Sequence, residues 1–136
     1  MKLFLDACAL IYRFEGAAPF RAATTTLLSQ LTQNQSSVEL AVSRLSVLEC
    51  RVKPLREGNS ALLARYDELF ASVRILELSA AVVDLATQLR ARHGLKTPAA
   101  LQAACALEWD GQTLFVTGDV VFAKVPTLDV QLVQIA

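Results

Sequence analysis

The chain has 136 residues, 54 % hydrophobic and 19 % charged, which supplies one sizeable core and excludes a disordered chain. Thirteen Lys and Arg balance thirteen Asp and Glu, so there is no bulk electrostatic attraction to nucleic acid; binding RNA or DNA requires a local basic patch or a metal bridge. No apolar run approaches the roughly 20 residues of a membrane-spanning helix.

Leu3-Phe4-Leu5 is a short apolar run that reads as a buried strand, and Asp6 ends it too soon for a signal peptide. Cys8 to Phe14 reads as a helix stopped by Gly16, and Pro19 to about Thr32 as a second, with Phe20, Ala23, Leu27, Leu28 and Leu31 on one face. Asn34 to Ser37 is turn-like and Val38 to Val42 a second strand. Ser43 opens a helix with Leu45, Leu48 and Val52 on one face, which Pro54 is expected to end or kink. Asn59 or Ser60 can cap the next helix, which carries Leu62, Leu63, Tyr66, Leu69 and Phe70.

Val73 to Leu78 reads as a third strand. Ser79 caps a helix bearing Val82, Leu85, Ala86 and Leu89, with Gly94 at its end. Thr97-Pro98 reads as a hydroxyl cap followed by proline at the first helical position, and Leu101, Ala104 and Cys105 form that helix's inner face up to Gly111. Leu114-Phe115-Val116 is a fourth strand ending at Thr117-Gly118-Asp119, and alternation over Leu128 to Leu132 marks a fifth, half-exposed one. Strands alternating with helices predict a single α/β domain over residues 1–136 with a mainly parallel five-stranded sheet. Cys8, Cys50 and Cys105 are odd in number, with no C-x-x-C pair and only His93 beside them. They read as small core residues in a reducing cytoplasm, with neither a disulfide scaffold nor a zinc site expected.

Ligands of open parallel sheets bind beyond the carboxyl ends of the strands. Asp6 closes the first strand there, Asp119 follows the fourth, and Glu49 lies on the helix after the second. Each has a local explanation: a helix cap for Asp6, a turn for Asp119, and a solvated pair with Lys53 for Glu49. Together, three carboxylates at one sheet edge repel, and a divalent cation is the simplest compensation. An oxygen-only cluster favours Mg²⁺ or Mn²⁺.

Four segments then carry a family resemblance: Phe4-Leu5-Asp6-Ala7-Cys8-Ala9-Leu10-Ile11-Tyr12, Ser43-Arg44-Leu45-Ser46-Val47-Leu48-Glu49, Gly94-Leu95-Lys96-Thr97-Pro98-Ala99-Ala100-Leu101, and Phe115-Val116-Thr117-Gly118-Asp119-Val120-Val121-Phe122. In this order and spacing the chain resembles the PIN-domain ribonucleases, specifically toxins of VapC type. The resemblance implies a three-layer α/β/α fold, a homodimer, a cognate antitoxin and a Mg²⁺- or Mn²⁺-dependent endoribonuclease acting on RNA. Asp6, Glu49 and Asp119 match three of the family's acidic positions, as catalytic residues and metal ligands. Ser43 and Thr117 are candidates to hydrogen-bond those carboxylates, or are ordinary cap and turn groups.

Ala99 stands where the family's remaining main acid is expected, at the second helical residue after the Thr97 cap. Val121 replaces a frequent further acid, Gly118 a frequent Asn, and Cys8 a common Asn beside Asp6. The chain is either a naturally degenerate member or one whose aspartate was replaced to abolish toxicity; the close match flanking Ala99 favours replacement. In either case the chain as written is expected to be inactive or weakened. Arg44, Arg51, Lys53 and Lys96 are basic candidates for RNA phosphates, and Trp109 for base stacking or, more readily, core packing. The apolar faces with Phe20, Leu27 and Leu31 and with Leu62, Tyr66, Leu69 and Phe70 are expected mostly in the core, with some surplus for a partner. The competing readings are a PIN-like module that binds protein or RNA without catalysis, and a receiver-like domain. The latter lacks its acidic pair after the first strand and its acceptor Asp after the third.

Overall fold

The computed structural model describes residues 1–135; the last residue of the expected 1–136 domain lies outside them. Strands β1 (Lys2–Leu5), β2 (Glu39–Ser43), β3 (Arg74–Leu76), β4 (Thr113–Thr117) and β5 (Asp129–Leu132) form one sheet in the order β3-β2-β1-β4-β5. Every pairing is parallel, so the sheet is wholly rather than mainly parallel. Helices α1 (Ala7–Glu15), α2 (Ala18–Thr32), α3 (Arg44–Glu57), α4 (Ser60–Ser72), α5 (Ala80–His93) and α6 (Thr97–Glu108) connect the strands, and a 3-10 turn (Val120–Lys124) follows β4.

Side-chain alternation along the strands creates the three layers. Phe4 and Phe115 stack 5.2 Å apart on one face, under α5, α6 and the 3-10 turn. Leu3, Leu5 and Val116 point the other way, under α1 to α4. The apolar residues of α2 and α4 belong to this second layer, with Tyr66 and Phe70 buried and Leu27, Leu31, Leu62 and Leu69 packed against it. The caps at Asp6, Ser43, Asn59 and Ser79 each accept a backbone N–H from their helix's first turn. Gly58 and Gly94 end α3 and α5 at φ +66° and +69°, where a Cβ would be strained.

Four expectations are corrected. Helix α3 runs through Pro54 to Glu57. Pro54 lies in the last turn, so its missing N–H forfeits one helical bond, and its own carbonyl is taken by the N–H of Asn59 at 2.9 Å. The buried stripe of α3 is Ser46, Cys50 and Pro54, whereas Leu48, Val52 and Leu55 are 60 %, 45 % and 58 % exposed. Of these, Ser46 meets a buried hydrogen-bond network with Gln102, and Cys50 packs into the apolar layer under α1 to α4. Finally, Thr97 is not the cap of α6: Lys96 holds that position without a side-chain bond, and the Thr97 hydroxyl accepts from Arg90. Ala99 is therefore the third residue of α6, one place later than expected. The third strand is also shorter than predicted, ending at Leu76. The residues beyond leave the ladder so that Ser79 can cap α5.

Candidate functional site

The strand order reverses direction between β1 and β4, and this switch point opens a crevice at their carboxyl ends. Asp6 is the first residue beyond β1, and its N–H binds the Val116 carbonyl at 3.2 Å. The register pairs Leu5 with Val116 and Phe4 with Ala41; continued, it flanks Asp6 with Thr117 on one side and Ser43 on the other. Asp6, Glu49 and Asp119 line one cavity of about 270 Å³, and Ala99 is on its wall. Lys96 and Gln102 complete the polar lining. A larger hollow of about 470 Å³ between α2 and the residues after β5 has no titratable side chain in its lining.

Asp6 is 3 % exposed. Its Oδ1 accepts the N–H of Ala9 at 2.9 Å and its Oδ2 the hydroxyl of Thr117 at 2.5 Å. Burial pushes its carboxyl up to about 6; the bonds from Thr117 and Ala9 lower it, and the charges of Asp119 and Glu49 raise it further. Both neighbouring acids thus act on Asp6 through space. Asp119 is exposed, with Oδ1 accepting the Val121 N–H at 2.9 Å. Its own N–H reaches the Thr117 hydroxyl at 3.1 Å. Val121, where an acid was expected from the resemblance, packs its side chain against the core.

Glu49 is half-buried, and its Oε1 accepts from Gln102 Nε2 at 3.2 Å. Lys53 does not pair with it, as the local alternative supposed, but reaches Glu15 at 3.4 Å. The Ser43 hydroxyl donates to Gln102 Oε1 at 3.0 Å and accepts the Ser46 N–H at 3.2 Å. Ser43 therefore caps α3 and touches no carboxylate, whereas Thr117 binds Asp6 directly. As the cap, its oxygen accepts from an orphan helix N–H, and its single proton goes to Gln102 rather than to a carboxylate.

The donor chemistry fits a hard divalent cation, since the acids contribute only oxygen. The donor count falls short: among the described residues no three His, Cys, Asp or Glu side chains come close enough to hold a metal ion in this arrangement. Ala99 contributes no oxygen at the wall where a fourth acid would be.

Lys96 is the one basic candidate that lines the cavity. Arg44 makes a two-pronged pair with Glu77 at 3.0 and 2.6 Å, and Arg51 binds Asp67 at 3.0 Å. The outer side of α3 places these cations beside acids of neighbouring elements rather than at the cavity. Trp109 is buried with the Lys2 ammonium 4.8 Å from its ring centre, at the amino end of β1. Cys8, next to Asp6 as the resemblance implies, also lines the cavity, and so does Gln102, which the sequence reading does not mark. Gln102 lies three residues after Ala99, so helical spacing from the expected acid was the signal for it. The Cys8 thiol is pushed above its ordinary range by burial and then by Asp6.

A family model described as PIN domain matches residues 3–128. No curated protein matches the chain. Among solved structures, VapBC2 from Rickettsia felis bound to a promoter DNA fragment superimposes with a TM-score of 0.76 at 17 % identity, covering 98 % of this chain and 100 % of that one. A toxin-antitoxin complex from Klebsiella pneumoniae gives 0.73 at 18 %, covering 98 % and 99 %. VapBC-1 from nontypeable Haemophilus influenzae gives 0.74 at 16 %, covering 97 % and 98 %. At these identities the likeness is one of fold.

Proposed function

The chain belongs to the PIN domain family, and from that premise we propose that it is a single-domain endoribonuclease toxin of VapC type, dependent on Mg²⁺ or Mn²⁺ and weakened by Ala99. One observation carries the proposal: Asp6, Glu49, Asp119 and position 99 come from four separate segments and line one cavity at the sheet's switch point. Carboxylates so gathered repel unless a cation compensates them.

Asp6 would hold that cation most directly, and Glu49 and Asp119, too far apart in this arrangement for all three to ligate at once, would reach it through water. When bound, the cation supplies an acidified water and offsets charge developing on the phosphate. Thr117 holds the Asp6 carboxylate in one orientation, and its hydroxyl also fixes the backbone of Asp119. Gln102 donates to Glu49 Oε1, and the remaining acceptor sites of that carboxylate would be available to a bound water. Lys96, at the cavity's rim, meets a phosphate of the RNA.

The partners follow the same reading: an RNA substrate, a second copy in a homodimer and a cognate antitoxin, the last supported by likeness of fold to a toxin-antitoxin complex from Klebsiella pneumoniae. No helix among the described residues is long and apolar enough to cross a membrane, which accords with the proposed cytoplasmic location.

Installing the acid tests the proposal. Ala99→Asp should gain Mg²⁺- or Mn²⁺-dependent RNA cleavage, about 10²- to 10³-fold above the parent, and adding Asp6→Asn should abolish the gain. A folded Ala99→Asp protein that cuts no better than the parent overturns it. Ala99 itself favours a second reading, a binding module without catalysis. That reading is selected if Ala99→Asp folds and cuts nothing while the parent binds RNA or antitoxin.

A further inference from the structure

We infer that Gln102 is a positioning residue for Glu49: its side-chain amide, oriented by the cap of α3, holds the Glu49 carboxylate at the cavity wall.

Gln102 is 3 % exposed. A primary amide buried without partners is costly, so its bonds define its role. Oε1 accepts from Ser43 at 3.0 Å, and Nε2 donates to Ser46 Oγ at 2.9 Å and to Glu49 Oε1 at 3.2 Å. Both N–H groups are therefore used.

The amide's direction is set by the protein around it. The Ser43 hydroxyl already accepts the Ser46 N–H as the cap of α3, so its single proton is free to donate. It needs an acceptor, and Gln102 Oε1 is that acceptor. With Oε1 turned to Ser43, Nε2 must face Ser46 and Glu49. A reversed amide would set an oxygen against the Glu49 carboxylate.

Glu49 needs such a tether. It is a long side chain with considerable rotamer freedom. Gln102 supplies the only hydrogen bond it receives among the described residues. The cation four residues on, Lys53, is engaged by Glu15. Gln102 also sits on the same face of α6 as Ala99, so one helix wall carries both the vacant acid position and the tether of the acid opposite. What Gln102 holds Glu49 for rests on the nuclease reading; that it holds Glu49 does not.

Two measurements separate these, both in the Ala99→Asp protein. The first reads the contact by NMR. Gln102→Met should shift the Glu49 carboxyl carbon and leave those of Asp6 and Asp119 in place, and Glu49→Gln should shift the Gln102 side-chain amide signals. Unmoved signals, or equal movement of all three acids, overturn the inference. The second reads Mn²⁺ affinity by electron paramagnetic resonance for the parent, Gln102→Met, Glu49→Gln and their double variant. Gln102→Met should weaken Mn²⁺ about 10- to 100-fold, with no further loss once Glu49 is Gln. Additive losses mean that Gln102 acts on the fold alone and overturn the inference. If Gln102→Met does not fold, Gln102→Glu keeps the acceptor for Ser43 and offers Ser46 an acceptor in place of a donor while turning a repelling oxygen on Glu49, and the same NMR pattern is expected. If no protein of the set binds Mn²⁺ but the NMR shifts appear as described, the inference stands and the nuclease reading fails.

Discussion

Thr117 donates its hydroxyl proton to Asp6 Oδ2 across 2.5 Å, from a strand 111 residues further along the chain. That contact is wholly buried at Thr117, and it opposes the burial that pushes the Asp6 carboxyl up to about 6. Thr117→Val keeps the shape and removes the donor. The Asp6 carboxyl should then titrate higher than in the parent, and the protein should lose about 1–3 kcal/mol from the unpaired buried groups left behind. Carboxyl-carbon NMR titration and urea denaturation check both, and an unmoved Asp6 titration refutes the assignment.

The elevated Asp6 carboxyl also sets a pH dependence. Its folded-state value of about 6 lies above the ordinary 3.8, so the folded state retains a proton that the unfolded chain has released. Asp6 stabilises the fold fully below about pH 4, and that contribution is lost as pH rises through about 6. A gap of about two units corresponds to about 3 kcal/mol. Asp6→Asn, which can still cap α1, should therefore be more stable than the parent at pH 8 and equal to it near pH 4. Mn²⁺ should raise the melting temperature of the Ala99→Asp protein above pH 6 and have no such effect once Asp6 is Asn. Melting curves across pH 4–8 decide this; a flat difference between parent and Asp6→Asn contradicts it.

Gly118 is glycine because Tyr12 covers it. A Cβ there would lie 2.2 Å from Tyr12 Cε2 and 3.0 Å from Cys8 Sγ. The Tyr12 ring is itself backed by Phe20, centroids 4.8 Å apart. Gly118→Ala should cost about 1–3 kcal/mol by overpacking, and most of that cost should disappear in a Tyr12→Ala background. Chemical denaturation of the four proteins measures the coupling. This packing also accounts for the absence of the Asn that the family resemblance led one to expect at 118.

Lys96 is the cavity's one basic side chain, so it should contribute about one phosphate contact. Lys96→Gln should weaken RNA binding and reduce the salt slope by about 0.7, without weakening Mn²⁺ binding by the Ala99→Asp protein. Arg44→Gln should leave the slope unchanged, because Arg44 is held by Glu77. Fluorescence anisotropy with a labelled single-stranded RNA over a range of salt distinguishes the two, and equal effects of both substitutions would remove Lys96 from the proposed site.

Local chemistry made much of this protein legible in its residues. Asp6, Ser43, Asn59 and Ser79 announce helix starts because a cap needs only a short polar side chain and the N–H three residues on. The short apolar runs announce buried parallel strands, and acids at their ends announce the crevice. Tertiary structure decided the rest. Gln102 meets Glu49 across 53 residues of chain, and only the crossing of α6 over α3 makes that meeting. The same packing turned Leu48, Val52 and Leu55 outward and Ser46 inward to the buried amide of Gln102, against the hydrophobic pattern of α3. Arg44 and Lys53, sequence neighbours of the acids, were drawn away to Glu77 and Glu15. Backbone hydrogen bonding over three or four residues is written in local sequence; the partner of a polar side chain depends on which helices come to touch.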